Sequence, residues 1–312
     1  MESVEQNIPL VSIIVITYNS SKFVLETLES AKVQTYQNIE LIISDDASQD
    51  DTVEICENWL SKNRERFVHT DLITNKINTG ISANCNRGVK VSQGVWIKLI
   101  AGDDFLKKDC IEYCINEVVN KNYDIFFTKI EFTSQNTLLL ETIDIGFRKI
   151  ESRNLLHTDL LKNNFLPAPS AFIKKSIYLL LNGFDESFEM IEDYPFWLKA
   201  IKLNLSFGFS NLKKVYYRVS NQGVSQKKHF EDKNIFYKDI KYTNSWYKFL
   251  WKILIPEQLK NYLFFLAFRN LYNYIQFKLL TVVFYNKRTV FSNLVFYLFE
   301  IFKPSFKKKN NV

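Results

Sequence analysis

The chain has 312 residues, of which 46% are hydrophobic and 24% charged, and it carries a formal net charge of +6. This length suffices for one large domain or two small ones, and the composition is typical of a globular protein rather than a disordered one. Eight glycines are too few for a glycine-rich repeat protein. No charged segment followed by an apolar run opens the sequence, so we expect no secretory signal.

The first 132 residues alternate predicted strands and predicted helices. Apolar, β-branched runs predict buried strands, and apolar residues spaced three or four apart predict helices. In chain order, we predict strands at 11–16, 39–43, 67–74, 95–100 and 123–132, and helices at 22–33, 52–60, 81–91 and 107–120. Strands separated by helices of this length indicate an α/β fold with a mostly parallel, Rossmann-like central sheet flanked by helices. In such sheets, ligands bind beyond the carboxyl ends of the strands.

The next 86 residues or so are less regular. We predict loops and one helix over 133–165, and an extended segment at 167–173, because each proline biases its predecessor away from helix. A helix follows over 192–202, where Pro195 fits the first turn. Short closing strands are predicted at 207–209 and 214–218.

The C-terminal region differs in composition and charge. From Gln226 onward, 16 Lys and Arg stand against five acidic residues, a net charge of +11, whereas the first 225 residues carry −5. We therefore divide the chain into a domain at 1–226 and a helical, aromatic and basic extension at 227–312. Its apolar runs are shorter than the roughly 20 residues that span a bilayer.

Aromatic residues interleaved with cations suit the surface of an anionic membrane, and we expect this region to lie there. A helical subdomain packed on the core, or the interface of an oligomer such as a dimer, would show the same pattern. Nucleic acid is a weaker candidate because no recognition motif accompanies the charge.

The four cysteines, Cys56, Cys85, Cys110 and Cys114, show no paired metal-ligand spacing. Cys110 and Cys114 are one helical turn apart, as expected for small buried apolar residues. Reduced thiols in a cytosolic compartment are the simplest explanation.

Three acidic pairs lie where predicted elements meet. Asp103 and Asp104 follow an apolar strand, Asp45 and Asp46 end the second strand, and Glu192 and Asp193 begin a helix. Adjacent carboxylates repel each other, and a divalent cation such as Mg²⁺ or Mn²⁺ removes that repulsion. Each pair alone is also explained by a solvated turn or a helix cap.

The sequence resembles the family 2 glycosyltransferases, a group of inverting enzymes with the GT-A fold. The resemblance covers roughly residues 9–226, and the order and spacing of its segments all agree. They are Val11 to Asn19, Gln34 to Ser48, Asn78 to Gly88, Gly94 to Asp104, Gly183 to Glu186, Glu192 to Leu198, and Tyr217 with Arg218.

The resemblance implies roles for eleven residues. Thr17, Tyr18 and Asn19 should border the nucleobase, Asp46 should accept a hydrogen bond from it, and Gly80 should lie close to the nucleotide. Asp103 should contact the ribose or sugar, and Asp104 should bind Mn²⁺ or Mg²⁺. Asp193 is implied as the general base with Glu192 supporting it. Arg218, together with Ser225, is implied to meet the diphosphate from a mobile loop.

The resemblance also implies an activity and its partners. The enzyme would transfer a sugar, with inversion, from a nucleotide-sugar, usually UDP-linked, to a hydroxyl of a lipid-pyrophosphate-linked saccharide. We expect this step to belong to bacterial surface polysaccharide synthesis, such as O-antigen or capsule, at the cytoplasmic face of the membrane.

A chain of alternating strands and helices can serve three other functions. A nicotinamide-dependent oxidoreductase needs a Gly-x-Gly-x-x-Gly turn after the first strand, where this chain has Thr17 to Lys22. A sugar-1-phosphate nucleotidyltransferase needs a glycine-rich loop there, which is also missing. A catalytically inactive, nucleotide-binding partner of a membrane polysaccharide assembly complex fits better, although Asp46, Asp104 and Asp193 argue against it.

Overall fold

The computed structural model describes residues 8–134, 137–138, 153–188, 191–219, 245, 248–261 and 263–285. Its strands are β1 (Val11–Thr17), β2 (Ile39–Asp45), β3 (Thr70–Thr74), β4 (Trp96–Ala101), β5 (Phe105–Leu106), β6 (Ile125–Ser134), β7 (Thr137–Leu138), β8 (Ala171–Lys174) and β9 (Phe207–Arg218). Its helices are α1 (Val24–Lys32), α2 (Thr52–Asn63), α3 (Ile81–Val91), α4 (Cys110–Lys121), α5 (Arg153–Lys162), α6 (Lys175–Leu180), α7 (Asp193–Lys202), α8 (Ile255–Lys260) and α9 (Phe264–Tyr285).

All nine strands belong to one sheet, in the order β3-β2-β1-β4-β8-β6-β9-β5, with β7 paired to β6. The predicted parallel arrangement holds for β3-β2-β1-β4 and for β6 with β9. The β4–β8, β6–β8 and β5–β9 pairs are antiparallel. The parallel half therefore carries a carboxyl edge of the kind at which ligands bind.

The strand β1 is buried on both faces, which explains its continuous apolar sequence. Ile13, Ile14 and Val15 are fully buried. On one face, Gly88 of α3 lies so close that a Cβ there would be 2.4 Å from Cγ2 of Ile14. Glycine at this position therefore allows α3 to approach β1, and the start of α3 is thereby held near the carboxyl edge.

The predicted elements of the first 132 residues are all present, and α3 has the predicted bounds. The predicted closing strands are a single 12-residue strand, β9, and three short elements, β5, β7 and α6, were not predicted. Cys110 and Cys114 were predicted to be small buried residues, and both are buried free thiols, as are Cys56 and Cys85.

The chain divides into two compact units, residues 1–249 and 250–312. The boundary predicted at residue 226 lies outside the described residues. In the second unit, a π-helical turn at Leu250–Leu254 leads into α8, and Trp251 stacks on Tyr274 of α9 at 4.9 Å between ring centroids. Within the described part of the chain, no helix has both the length and the apolar character needed to cross a membrane.

Candidate active site

The carboxyl edge of the parallel strands gathers most of the predicted site residues. Thr17 at the end of β1 pairs in register with Asp45 of β2, and Ile16 pairs with Ala101 of β4. The residues that follow these strands, Asp46 and the pair Asp103-Asp104, therefore lie along one edge of the sheet. Two of the three predicted acidic clusters are brought together as the sequence indicated.

Asp46 is a buried carboxylate that receives four hydrogen bonds from the protein. Its Oδ2 accepts from the backbone N–H groups of Thr79 (2.9 Å) and Gly80 (2.7 Å). Its Oδ1 accepts from the Thr79 hydroxyl (2.9 Å) and from Nη2 of Arg87 (2.5 Å). A carboxylate has about four acceptor positions, so a nucleobase N–H would have to displace one of these donors. In this arrangement, Asp46 fixes the loop before α3.

Gly80 has φ of 94°, a backbone conformation that side-chain-bearing residues rarely adopt. It is the residue before α3, and its N–H points at Asp46. The positive φ thus accounts for glycine at this position, and the closeness of Gly80 to a nucleotide stays a prediction.

The turn after β1 is fastened to the turn after β2. The Thr17 hydroxyl donates to Oδ1 of Asp45 (2.7 Å), and the Asn19 N–H donates to the Ser48 hydroxyl (2.8 Å). Thr17 is buried, whereas Tyr18 is 47% exposed. Of the three residues predicted to border the nucleobase, Tyr18 therefore offers an exposed ring for stacking, whereas the buried Thr17 joins the end of β1 to Asp45 of β2.

Asp103 and Asp104 differ in their surroundings. Asp104 is buried, and its Oδ1 accepts the backbone N–H of Arg218 (2.8 Å), whereas Asp103 is partly exposed. Burial raises the pKa of the Asp103 carboxyl; burial and then the neighbouring Asp103 charge hold the pKa of Asp104 well above its usual value. Ionising both carboxyls is therefore costly without a cation.

This pair suits a divalent cation. Carboxylate oxygens are the hard donors that Mn²⁺ and Mg²⁺ prefer, and a bound cation would offset the cost of ionising both carboxyls. Among the described residues, no three His, Cys, Asp or Glu side chains form a group that could hold a metal. A cation held by the pair would thus draw its remaining ligands from substrate phosphates and water, as Mg²⁺ commonly does.

Arg218 requires a correction to its predicted setting. The closing strand predicted at 214–218 includes Arg218, and the residue is indeed the last one of β9, paired with β6. The mobile loop that the resemblance implies for Arg218 is wrong, because the residue is buried in this strand. Its Nε donates to the Asp103 carbonyl (2.9 Å), Nη2 pairs with Glu26, and the guanidinium lies 4.4 Å from the ring centroid of Phe23. These contacts make Arg218 a clamp on the Asp103-Asp104 turn. Ser225 lies outside the described residues.

Asp193 is the first residue of α7, where a carboxylate is favoured by the helix dipole. Its Oδ2 accepts from Nδ2 of Asn164 (3.1 Å). Glu192, immediately before the helix, is close enough to Cys85 of α3 for its charge to help raise the pKa of that thiol, after burial. Asp46 also raises the pKa of Cys85, whereas Arg87, on the same helix, lowers it, so the charges of Glu192 and Asp46 both reach this position of α3.

The loop before α7 is joined to α3 by side-chain hydrogen bonds. The Ser82 hydroxyl donates to the Phe188 carbonyl (2.6 Å), and Nδ2 of Asn86 donates to the Phe184 carbonyl (2.9 Å). Since the first turn of α3 is held by Asp46, one helix connects the carboxyl edge with the segment that leads to Asp193.

Sequence reasoning missed four residues of this region: Arg87, Lys98, Glu26 and Asn164. Lys98 is fully buried in β4 and donates to the Pro169 carbonyl (2.6 Å). A lone lysine inside an apolar strand was a visible signal for it, and Arg87 lies within a segment that carried the family resemblance. Nothing local in the sequence distinguishes Glu26 or Asn164.

Comparison with known proteins gives a family and a fold. The model of the family described as "Glycosyl transferase family 2" matches residues 12–179. The chondroitin synthase of Escherichia coli is 30% identical over 215 residues, which are 68% of this chain and 29% of that protein. The hyaluronan synthase of Pasteurella multocida is 28% identical over 234 residues, 72% of this chain and 22% of that protein. The chain thus spans less than a third of either relative.

Among solved structures, TarS of S. aureus superimposes with a TM-score of 0.59 at 19% identity, covering 80% of this chain and 40% of TarS. A structure of TarS residues 1–349 in complex with UDP gives a TM-score of 0.53 at 19% identity, covering 68% of this chain and 61% of that one. At this identity the likeness shows the fold, and the predicted GT-A architecture is confirmed. The family model matches more than half of the chain, including the parallel strands and the acidic residues at their carboxyl edge. The chain therefore belongs to glycosyl transferase family 2.

Proposed function

We propose that this protein is an inverting glycosyltransferase that moves a sugar from a nucleotide-sugar, UDP-linked, to an acceptor hydroxyl. The observation that carries the proposal is the placement of Asp103-Asp104 on the same sheet edge as Asp46 and the exposed ring of Tyr18. Family membership supports it, as does the UDP complex of TarS, a protein of the same fold.

The donor would bind along this edge. Tyr18 would stack on the base, the Thr79-Gly80 backbone held by Asp46 would border the nucleotide, and Asp103 would contact the ribose or sugar. Mn²⁺ or Mg²⁺ held by Asp104 would neutralise the charge that develops on the diphosphate leaving group. Arg218 acts by holding the Asp103-Asp104 turn rather than by reaching the phosphates.

The transfer itself would be a single displacement. The acceptor oxygen bonds to the anomeric carbon as the bond from that carbon to the diphosphate oxygen breaks, and the nucleoside diphosphate leaves. Asp193 takes the proton of the acceptor hydroxyl, with Glu192 beside it; such base catalysis contributes about 10²- to 10⁴-fold in rate. Attack opposite the leaving group inverts the anomeric configuration.

For the acceptor, we propose a lipid-pyrophosphate-linked saccharide in surface polysaccharide synthesis. Two of the relatives are named as synthases of the polysaccharides chondroitin and hyaluronan, which supports the polysaccharide product. A lipid-linked acceptor would require the enzyme to work at a membrane, on its cytoplasmic face.

The surface of α9 supports membrane attachment. Phe264, Phe268, Tyr272 and Ile275 are all at least 39% exposed. Their spacing of four, four and three residues places them on one helical face. The exposed Arg269 lies beside this stripe, and the surrounding region carries the excess of Lys and Arg noted in the sequence. Apolar rings flanked by cations favour an anionic membrane surface.

The donor can be tested by thermal shift with a panel of nucleotide-sugars and Mn²⁺. A donor present at 100 times its Kd should add about 2.7 kcal/mol to the stability. Transfer should then fall by about 10²-fold or more in Asp193→Asn, to a residual rate, while UDP binding persists. Binding without any turnover by the wild type, on saccharide-lipid acceptors or water, would favour the inactive binding partner instead.

The membrane surface is tested separately with the double variant Phe264→Ser/Phe268→Ser. It should lose sedimentation with vesicles that contain anionic lipid. The matched control replaces two similarly exposed residues of the first unit, Leu179→Ser/Leu180→Ser. Equal sedimentation of both variants and the wild type would refute the role of the α9 stripe.

A further inference from the structure

The last turn of α5 and the segment after it are hydrogen-bonded to α7 at three successive points. The Tyr194 hydroxyl donates to the Leu160 carbonyl, Nδ2 of Asn164 donates to Asp193, and Nε1 of Trp197 donates to the Leu166 carbonyl (3.1 Å). Two of these bonds do not involve the Asn164 side chain. The segment therefore has anchors on either side of Asn164 that remain when this side chain is changed.

The orientation of the Asn164 amide is determined by its partners. Its Oδ1 accepts the N–H of Leu166 (3.2 Å), a turn in which the side chain caps its own backbone two residues on. This bond directs Nδ2 to the other side, where it meets Oδ2 of Asp193 at 3.1 Å. A carboxylate only accepts hydrogen bonds, so the amide nitrogen is the atom that must face it.

A general base works only when its carboxylate is held in the direction of the proton that it removes. The amide donor to Oδ2 limits rotation of the Asp193 carboxylate and thereby fixes the direction in which Oδ1 points. The same donor stabilises the ionised form, which is the form that accepts a proton. Both effects belong to a residue that orients a base rather than to one that reacts.

We propose that Asn164 is the positioning residue of Asp193: its amide holds the carboxylate in the orientation needed to deprotonate the acceptor hydroxyl. This inference rests on the proposed function, because it takes Asp193 as the base. It assigns to Asn164 no contact with the donor nucleotide, so UDP affinity should not depend on it.

Two substitutions separate the orienting role from the turn. Asn164→Asp retains an acceptor for the Leu166 N–H but replaces the amide donor with a second carboxylate facing Asp193. Asn164→Ala removes both bonds. If Asn164 orients the base, kcat should fall roughly 10- to 100-fold in both variants, with Asn164→Asp at least as impaired as Asn164→Ala. The KM for the donor and the Kd for UDP should stay within about twofold.

The matched controls are Asn163→Asp and Asn163→Ala, at the exposed neighbouring asparagine, which should keep wild-type kcat. In the background of Asp193→Asn, Asn164→Ala should cause no further loss, because there is no base left to orient. Thermal unfolding of each variant, read by circular dichroism, shows that the compared proteins are folded.

The outcomes are distinct. Wild-type kcat in Asn164→Asp, with or without a defect in Asn164→Ala, would reduce Asn164 to a turn residue and overturn the inference while leaving the proposed function standing. An additional loss of similar size in the Asp193→Asn background would also overturn it. Full activity of Asp193→Asn itself would instead remove the proposed base, and the inference with it.

Discussion

The contacts of Arg218 predict that the shape of its guanidinium group, in addition to its charge, stabilises the acidic turn. Arg218 is buried, its Nε bonds to the Asp103 carbonyl, and its guanidinium lies 4.4 Å and 5.5 Å from the ring centroids of Phe23 and Phe105. The test compares the free energy of unfolding of Arg218→Ala, Arg218→Lys and Glu26→Ala with that of the wild type.

The magnitudes follow from these contacts. A hydrogen bond from a charged donor contributes about 1.5–3 kcal/mol, and a cation over an aromatic ring about 0.5–2 kcal/mol. The side chain of Glu26 is 52% exposed, so its ion pair with Arg218 is screened and contributes less than about 1 kcal/mol. We therefore expect Arg218→Ala to cost roughly 3 kcal/mol, Arg218→Lys roughly half of that, and Glu26→Ala less than either.

Urea unfolding with an unchanged m-value measures these differences. UDP titration in Mn²⁺ measures the consequence for the site, where loosening of the Asp103-Asp104 turn in Arg218→Lys should weaken binding roughly tenfold, or about 1.4 kcal/mol. If Glu26→Ala destabilised the protein as much as Arg218→Ala, or if Arg218→Lys behaved as the wild type, the clamp would be refuted.

Three further predictions concern separate parts of the molecule. Gly88→Ala should cost about 1–3 kcal/mol in urea unfolding, because its Cβ would clash with Ile14; an unchanged midpoint would show that α3 can shift away from β1. Tyr18→Ala should weaken UDP binding by about 1–3 kcal/mol in calorimetry, as expected for loss of a base-stacking ring, and unchanged affinity would remove Tyr18 from the nucleotide site. Burial, assisted by nearby acidic groups, raises the pKa of the Cys56 thiol to about 12, so at pH 8 a thiol reagent should label Cys56 only when the protein unfolds; labelling at the rate of a free thiol would contradict its burial.

The fold was largely predictable because its first half has strong, local patterns. The strand β1 is a continuous apolar run, and α3 has a clear helical period between Gly80 and a following polar turn. The missed helix α6 has only six residues, which is too short for periodicity to reveal. The sequence at 210–213, between the two predicted closing strands, did not show that β9 is one continuous strand, because its pairing with β6 joins residues about 80 apart.

The candidate site was predictable in position but not in detail. The Asp103-Asp104 pair and Asp46 follow apolar strands, and parallel strands bring such positions to one edge. Which partners each carboxylate has is a property of tertiary packing: Arg87 reaches Asp46 from α3, and Arg218 reaches the acidic turn from β9. The pattern of residues 214–218 predicted the strand that ends at Arg218, but the burial of Arg218 against the acidic turn depends on long-range strand pairing that no local pattern shows.

The most direct test is calorimetric titration of UDP into the wild type and into the double variant Asp103→Asn/Asp104→Asn, each with and without Mn²⁺. Amide side chains keep the size of the carboxylates but remove their negative charge, so the variant should fold and should lose the Mn²⁺-dependent part of UDP affinity. UDP binding that is equally tight in both proteins, or that does not respond to Mn²⁺ in the wild type, would contradict a cation-dependent donor site at this edge of the sheet.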